Sequence, residues 1–474
     1  MASPQPLFEA PAHANREDAR GRLLLVSWHF PPAQSAGSLR WQKLCRFAAA
    51  RGWAVDVITA DPALTNPTPS AALAALPAGT RVFGVRRPRI WEEDLEANLW
   101  RWFKKPRGAP SKPSAGPVEG LPESLAPDEI RWRLTGRDLI RAWTAWLEFR
   151  RDGGWARGVT ATGLQLAARE RYAAVISCGP PHLAHTAARR IAERLDRPLI
   201  LDLRDPFATW RRLPAPIASP LWFRLARWHE DRAVARAALV VANTEPLRQA
   251  LAADHPGAAA CFLTVTNGYD EDDPMPTTSH GDRFTIAYAG AVYLDRDPQP
   301  LFRALAAVVR SLGLTPDQLG IEFIGDAGSY GDVPLSAMAA DEGIGDYLTV
   351  VPKLPRDELF ARLAKAAMLL SLPQDSKFAI PSKVFEYLRF DAWVLVLADR
   401  GSPTEELLRE TSVDVVAPGD HPALVDAIRH RVVEFRSGHR PRRLEASTRL
   451  SRAHQAEILF SAIEAIPGVM EGAR

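Results

Sequence analysis

Cysteine is scarce in this chain: Cys45, Cys178 and Cys261 are the only three in 474 residues, far apart and each in apolar surroundings. They supply neither a disulfide framework nor metal-ligand spacing, and they fit a reducing compartment. A large excess of positive over negative charge is lacking too, and a formal net charge of +3 gives no general attraction to nucleic acid. No apolar run reaches the roughly 18 residues a membrane-spanning helix needs. The charged, Ala/Pro-rich first 20 residues lack the apolar core of a secretory signal. Neither a Walker loop nor a G-x-G-x-x-G fingerprint is present, which argues against P-loop and nicotinamide chemistry. The expected location is cytoplasmic, with peripheral attachment to the inner face of the cell membrane left open.

What the chain does have is alternation. Short apolar runs at 23–26, 55–59, 81–85, 174–178, 199–201, 239–242 and 262–266 are separated by helical patterns. A second series lies at 284–289, 321–324, 347–351, 368–372, 394–397 and 413–416. Runs apolar on both faces are what buried parallel strands require, and alternation with helices implies βαβ units. The fold class is therefore α/β, and 474 residues exceed one ordinary core. We expect a disordered tail at 1–20 and a Rossmann-like domain at 21–270. A turn-forming linker at 271–282 follows, then a second Rossmann-like domain at 283–445 and a C-terminal segment at 446–474. With two such sheets facing each other, the site is expected in the cleft at the strand carboxyl ends. The acidic residues 270–273 read as a solvated stretch of linker rather than a metal site.

One block, about 90–161, breaks the rhythm. Residues 81–157 hold 16 Lys/Arg against 11 Asp/Glu. The middle of the block, 104–128, is Pro/Gly/Ser/Ala-rich and reads as a loop. Its flanks carry Trp91, Trp100, Trp102, Trp132, Trp143, Trp146 and Trp155. Ile140, Trp143, Trp146 and Leu147 recur at helical spacing beside Arg137, Arg141, Arg150 and Arg151. Two readings stay open. Trp143, Trp146 and Arg141 belong to a helix lying on an anionic membrane surface, or to a helix packed on its own domain.

Several loops follow strands and carry polar residues. The first is Ser27-Trp28-His29-Phe30-Pro31-Pro32, leading to Gly37 at a helix start. Next comes Ser177-Cys178-Gly179-Pro180-Pro181-His182, with His185 on the same helical face as His182. Taken alone, each histidine reads more naturally as capping or packing. Asp202-Leu203-Arg204-Asp205 ends a strand, and alternation suggests a buried Asp202–Arg204 pair with Asp205 at the tip as the better functional candidate. Thr244-Glu245-Pro246 reads as a helix cap. Gly290 opens a loop in which Arg296 is placed to reach a phosphate. Finally, Pro381-Ser382-Lys383-Val384-Phe385-Glu386-Tyr387-Leu388 opens a helix with Lys383 and Glu386 on one face. An ammonium there suits a phosphate, and a carboxylate suits the vicinal hydroxyls of a ribose.

In series these segments resemble the glycosyltransferase family 4 ("group 1") type of GT-B enzyme of bacterial polysaccharide synthesis, over roughly residues 23–420. The resemblance implies a GT-B fold and a retaining transferase that uses a nucleotide-diphosphate sugar, with no metal and no cofactor. The donor would sit mainly on the second domain, through Gly290, Arg296, Ser382, Lys383 and Glu386. The glycan or lipid-linked acceptor would sit on the first, with His29 and Gly37 near acceptor and diphosphate. Asp205 and His182 become the catalytic candidates, and a C-terminal helix at about 450–466 would pack back on the first domain. One departure stands out: Phe378 occupies the position of the family's first glutamate, eight before Glu386. A nucleotide-sugar 2-epimerase of the same fold and a non-catalytic glycan-assembly subunit are the rival readings.

Overall fold

A computed structural model of the chain describes residues 4–10, 20–33, 36–61, 71–93, 135–205, 207–208, 219–293, 296–373, 377–444 and 448–472. Trp100, Trp102, Trp132, the expected loop at 104–128 and much of the expected tail lie outside them. The chain divides into two compact units. The first comprises Met1–Pro110, Leu121–Thr266 and Ala456–Arg474; the second comprises Ser111–Gly120 and Asn267–Gln455.

Each apolar run of the sequence is a strand. In the first unit β1 is Phe8–Glu9, β2 Gly21–Ser27, β3 Trp53–Ala60, β4 Thr80–Val85 and β5 Ala174–Cys178. Three more follow: β6 Leu199–Leu203, β7 Leu239–Ala242 and β8 Cys261–Thr264. They form one eight-stranded sheet in the order β1-β4-β3-β2-β5-β6-β7-β8. All pairs are parallel except β1 with β4. The edge strand β1 falls inside the segment expected to be a disordered tail. Two residues of backbone pairing suffice to place it, because Phe8 also packs on the core.

The second unit contains β9 Phe284–Ala289, β10 Leu319–Ile324, a hairpin of β11 Ser329–Tyr330 and β12 Val333–Pro334, β13 Leu348–Val351, β14 Met368–Ser371, β15 Trp393–Leu397 and β16 Asp414–Val416. Its sheet runs β13-β10-β9-β14-β15-β16 and is wholly parallel. Apart from β1, β8 and the hairpin, both sheets follow the doubly wound order 3-2-1-4-5-6, which reverses between β2 and β5 and between β9 and β14. Leu23, Leu24, Leu25 and Val26 of β2 are fully buried, as a central strand covered on both faces demands. Truncating one of them to alanine costs about 2–5 kcal/mol.

The block that broke the rhythm contributes one long helix, Gly136–Ala167, started by a Thr135/Asp138 capping box. Ala145, Leu147, Trp155, Ala156 and Val159 are its buried face. The C-terminal helix Arg452–Glu464 places Leu459, Phe460 and Ile463 in the core of the first unit. There Glu464 accepts from Arg51 at 2.9 Å and from the Trp53 indole at 3.0 Å. The acidic stretch read as solvated is instead anchored in the second unit. Asp270 pairs with Arg452 at 3.2 Å and Asp273 with Arg356 at 2.9 Å.

Candidate functional site

At the reversal of strand order in the second unit, β9 ends at Ala289 and the chain turns at Gly290, whose φ of +139° favours glycine. A Cβ on Gly290 would lie 2.8 Å from the Lys383 ammonium. The loop after β10 comes equally close: a Cβ on Gly325 would meet the Gly290 carbonyl oxygen at 2.8 Å. From beyond β14, the short helix Ser382–Tyr387 sends Lys383 inward, and its Nζ is buried, 3.8 Å from the centre of the Tyr288 ring. That ammonium has no hydrogen-bond partner. Loss of water, and then the nearby Arg296 guanidinium, push its pKa well below the usual lysine value, with Glu386 opposing. Arg296 lies 4.5 Å over the Tyr293 ring and donates to the Ala291 carbonyl at 3.0 Å. Tyr288 and Tyr387 hold this frame by donating to Ala291 O at 2.7 Å and accepting from Ala289 N at 3.1 Å, respectively.

The structure thus brings Gly290, Arg296 and Lys383 together. Glu386 stands beside them, half-buried, with Oε1 accepting from Arg356 at 3.2 Å. Ser382 is exposed at the start of the short helix.

At the corresponding reversal in the first unit, Gly37, His29, Arg204 and Asp205 converge. A Cβ on Gly37 would meet Arg204 Nη1 at 2.7 Å and His29 Cβ at 3.2 Å. Burial, then Arg204, lowers the His29 pKa, opposed by Asp205. The expected Asp202–Arg204 pair does not form. Arg204 reaches forward to Asp205 at 2.9 Å, leaving Asp202 to Arg40 at 2.9 and 3.1 Å and to the Trp41 indole at 2.8 Å. Residues on one side of a strand need not pair when a helix behind the sheet offers a better-placed guanidinium. Arg40 also donates to Val265 O at 3.1 Å, so Asp202 is a buried structural anchor. His185 bonds Ser177 at 2.8 Å, and burial lowers its pKa to about 4. His182 stacks on Phe207 at 4.3 Å between ring centres. Burial, then His185, holds it neutral.

His29 and His182 line a cavity of about 290 Å³ whose other walls include Trp28, Phe149, Phe207 and Trp222. Two carboxyl groups that the sequence reading passed over, Glu148 and Asp152, also line it. Burial, reinforced by Asp152, raises the Glu148 pKa to about 7 against the pull of Trp222 and Arg151. Burial raises Asp152 to about 6 against Arg87 and Arg151. Their four-residue spacing was the available signal, masked by the more conspicuous Trp/Arg pattern of the same helix.

On that helix Leu139, Ile140 and Trp143 are exposed, and Trp143 packs against Trp146 at 5.0 Å. Three of the four arginines alongside are engaged: Arg150 with Glu92 at 3.0 Å, Arg151 with Glu93 at 2.8 Å, and Arg141 with Asp138 at 3.9 Å. No helix among the described residues is long and apolar enough to cross a membrane.

Solved structures share this architecture over nearly the whole chain. The complex of Anabaena Alr3699/HepE with UDP-glucose superposes with a TM-score of 0.57 at 13% identity, covering 94% of this chain and 100% of that one. A sucrose-phosphate synthase from Thermosynechococcus elongatus gives 0.55 at 14% identity over 96% and 94%. The apo lipopolysaccharide outer core galactosyltransferase WaaB gives 0.53 at 10% over 94% and 99%. The fold is that of the GT-B glycosyltransferases. No family model and no curated protein matches the sequence. At these identities the likeness carries the GT-B architecture of two Rossmann-like units, and the chemistry has to be argued from the sites.

Proposed function

We propose that the chain is a glycosyltransferase of the family 4 type, which moves a sugar from a nucleotide-diphosphate sugar to a glycan or lipid-linked acceptor with retention of configuration and without a metal. The observation that carries this reading is the unpaired, buried ammonium of Lys383 beside Arg296, where the strand order of the second unit reverses. A buried ammonium with no hydrogen-bond partner destabilises the fold unless a ligand supplies acceptors and negative charge. A diphosphate does so, and as a leaving group it gains charge that the same pair stabilises. Glycine at 290 lets the backbone come up to that anion. Glu386, half-exposed next to Lys383, is suited to accept from ribose hydroxyls, sharing its carboxylate with Arg356. The UDP-glucose named for the HepE complex is a donor of this class.

His29, Gly37, Asp205 and His182 occupy the equivalent position of the first unit, which we assign to the acceptor. Asp205, about two-fifths exposed at its side chain, is the group available to the transferred sugar, whereas His182 is uncharged and packs the wall. The exposed Leu139, Ile140 and Trp143 would rest on the membrane that carries a lipid-linked acceptor.

Titration with UDP, followed by calorimetry, tests the donor assignment. Glu386→Ala is expected to weaken binding by about tenfold, the value of one good hydrogen-bonded pair, with an unchanged thermal midpoint. Equal affinity in wild type and variant would remove Glu386 from the site.

A further inference from the structure

Glu148 and Asp152 lie one turn apart on the helix Gly136–Ala167 and point into the same cavity of the first unit. Neither forms an ion pair among the described residues. The rings that face them are packed edge to face and so held rigidly: Phe149 and Trp222 at 5.8 Å, Phe207 and Trp222 at 5.4 Å. Trp222 is only 5% exposed, and its indole N–H faces Glu148 yet has no hydrogen-bond partner. The other charged or titratable groups around the pair are Arg87 and Arg151, with His29 and His182 on the wall. Arg151 is committed to Glu93.

Paired carboxyl groups inside an aromatic box select the charge of what enters. An anion is repelled by the carboxylates and by the ring faces alike. A hydroxyl can accept the Trp222 N–H and donate to a carboxylate, but leaves the like charges facing each other. An ammonium donates to both carboxylates and places its charge against the rings, where the quadrupole attracts it. The cavity of about 290 Å³ sits at the lower end of small-molecule sites and suits one sugar ring.

We infer that this cavity is the acceptor subsite and that the acceptor carries a protonated primary amine held by Glu148 and Asp152, as on a 2-amino-2-deoxy sugar. The word acceptor rests on the transferase reading; the amine selectivity does not.

The test is titration of the full chain with the methyl glycosides of glucosamine, N-acetylglucosamine and glucose, read by tryptophan fluorescence, with UDP titrated into the same samples. The expected result is that the free amine binds at least about tenfold more tightly than either neutral glycoside, with Glu148→Gln and Asp152→Asn each erasing that preference. The wild-type comparison stands without either variant. Equal affinities, or a preference for a neutral glycoside, would overturn the inference even where UDP binds, and would leave the transferase reading intact. Amine preference in a protein that does not bind UDP would uphold the subsite and overturn the transferase reading.

Discussion

An ammonium stripped of water and left without an anion weakens the fold that buries it, and Lys383 is held in that state by its packing against Tyr288 and its nearness to Arg296. Two opposite effects of one substitution follow. Lys383→Met keeps the stem and removes the charge, so it should raise the thermal midpoint, by about 1–2 kcal/mol of stability, while weakening UDP binding by roughly ten- to a hundredfold. A lower midpoint with unchanged affinity would contradict the assignment. The lowered lysine pKa gives a second test. An arriving diphosphate stabilises the charged form and moves the pKa back up, so binding takes up a proton wherever the pH lies between the free and bound values. Affinity should fall with rising pH in that window, and calorimetry in buffers of different ionisation enthalpy should detect the uptake. Gly290→Ala should cost about 1–3 kcal/mol, since alanine disfavours a φ of +139° and its Cβ would press on the ammonium.

The helix Gly136–Ala167 joins two surfaces: an inner one holding Glu148 and Asp152 and an outer one exposing Leu139, Ile140 and Trp143. Glu148 has a folded pKa of about 7, above the ordinary carboxyl value of 4.5. Between those values the folded state holds more protons than the unfolded one, so this group lowers stability as pH rises from about 4.5 to about 7, and its full penalty persists above. Glu148→Gln should therefore be more stable than wild type at pH 8, by on the order of 2 kcal/mol, with the difference vanishing near pH 4. Thermal midpoints of both proteins across that range provide the check. On the outer surface, Trp143→Ser with Trp146→Ser should release the protein from vesicles containing anionic lipid in a flotation assay. A wild type that never floats with them removes the membrane role. Because Arg141, Arg150 and Arg151 are tied to Asp138, Glu92 and Glu93, any binding should depend more on the tryptophans than on salt.

The strands were legible because a run such as Leu23 to Val26 is apolar on both faces, and only burial between helix layers accounts for that. Lys383, Arg296 and Gly290 were legible as separate loop residues, since doubly wound sheets bring loops after neighbouring strands together. The cavity was not. Whether Glu148 looks inward depends on the rotation of one helix against Phe207 and Trp222, and no local pattern encodes that rotation. Likewise, alternation at the end of β6 suggested an Asp202–Arg204 pair, but their partners, Arg40 and Asp205, were decided by packing. The edge strand β1 was hidden for another reason: Phe8–Glu9 is too short to show a period.

At the scale of the whole chain, two doubly wound units each gather polar groups where strand order reverses, and the C-terminal helix Arg452–Glu464 contributes Leu459, Phe460 and Ile463 to the core of the first. We assign a nucleotide-diphosphate sugar to one of those sites and an acceptor to the other. Release of nucleoside diphosphate from a panel of nucleotide sugars, measured with and without a membrane lipid extract, tests that division of labour most directly. We predict release from one donor that rises when the extract is present and is lost in Lys383→Met. Interconversion of a nucleotide sugar without any release, or binding of a donor with no turnover in the presence of the extract, would contradict it.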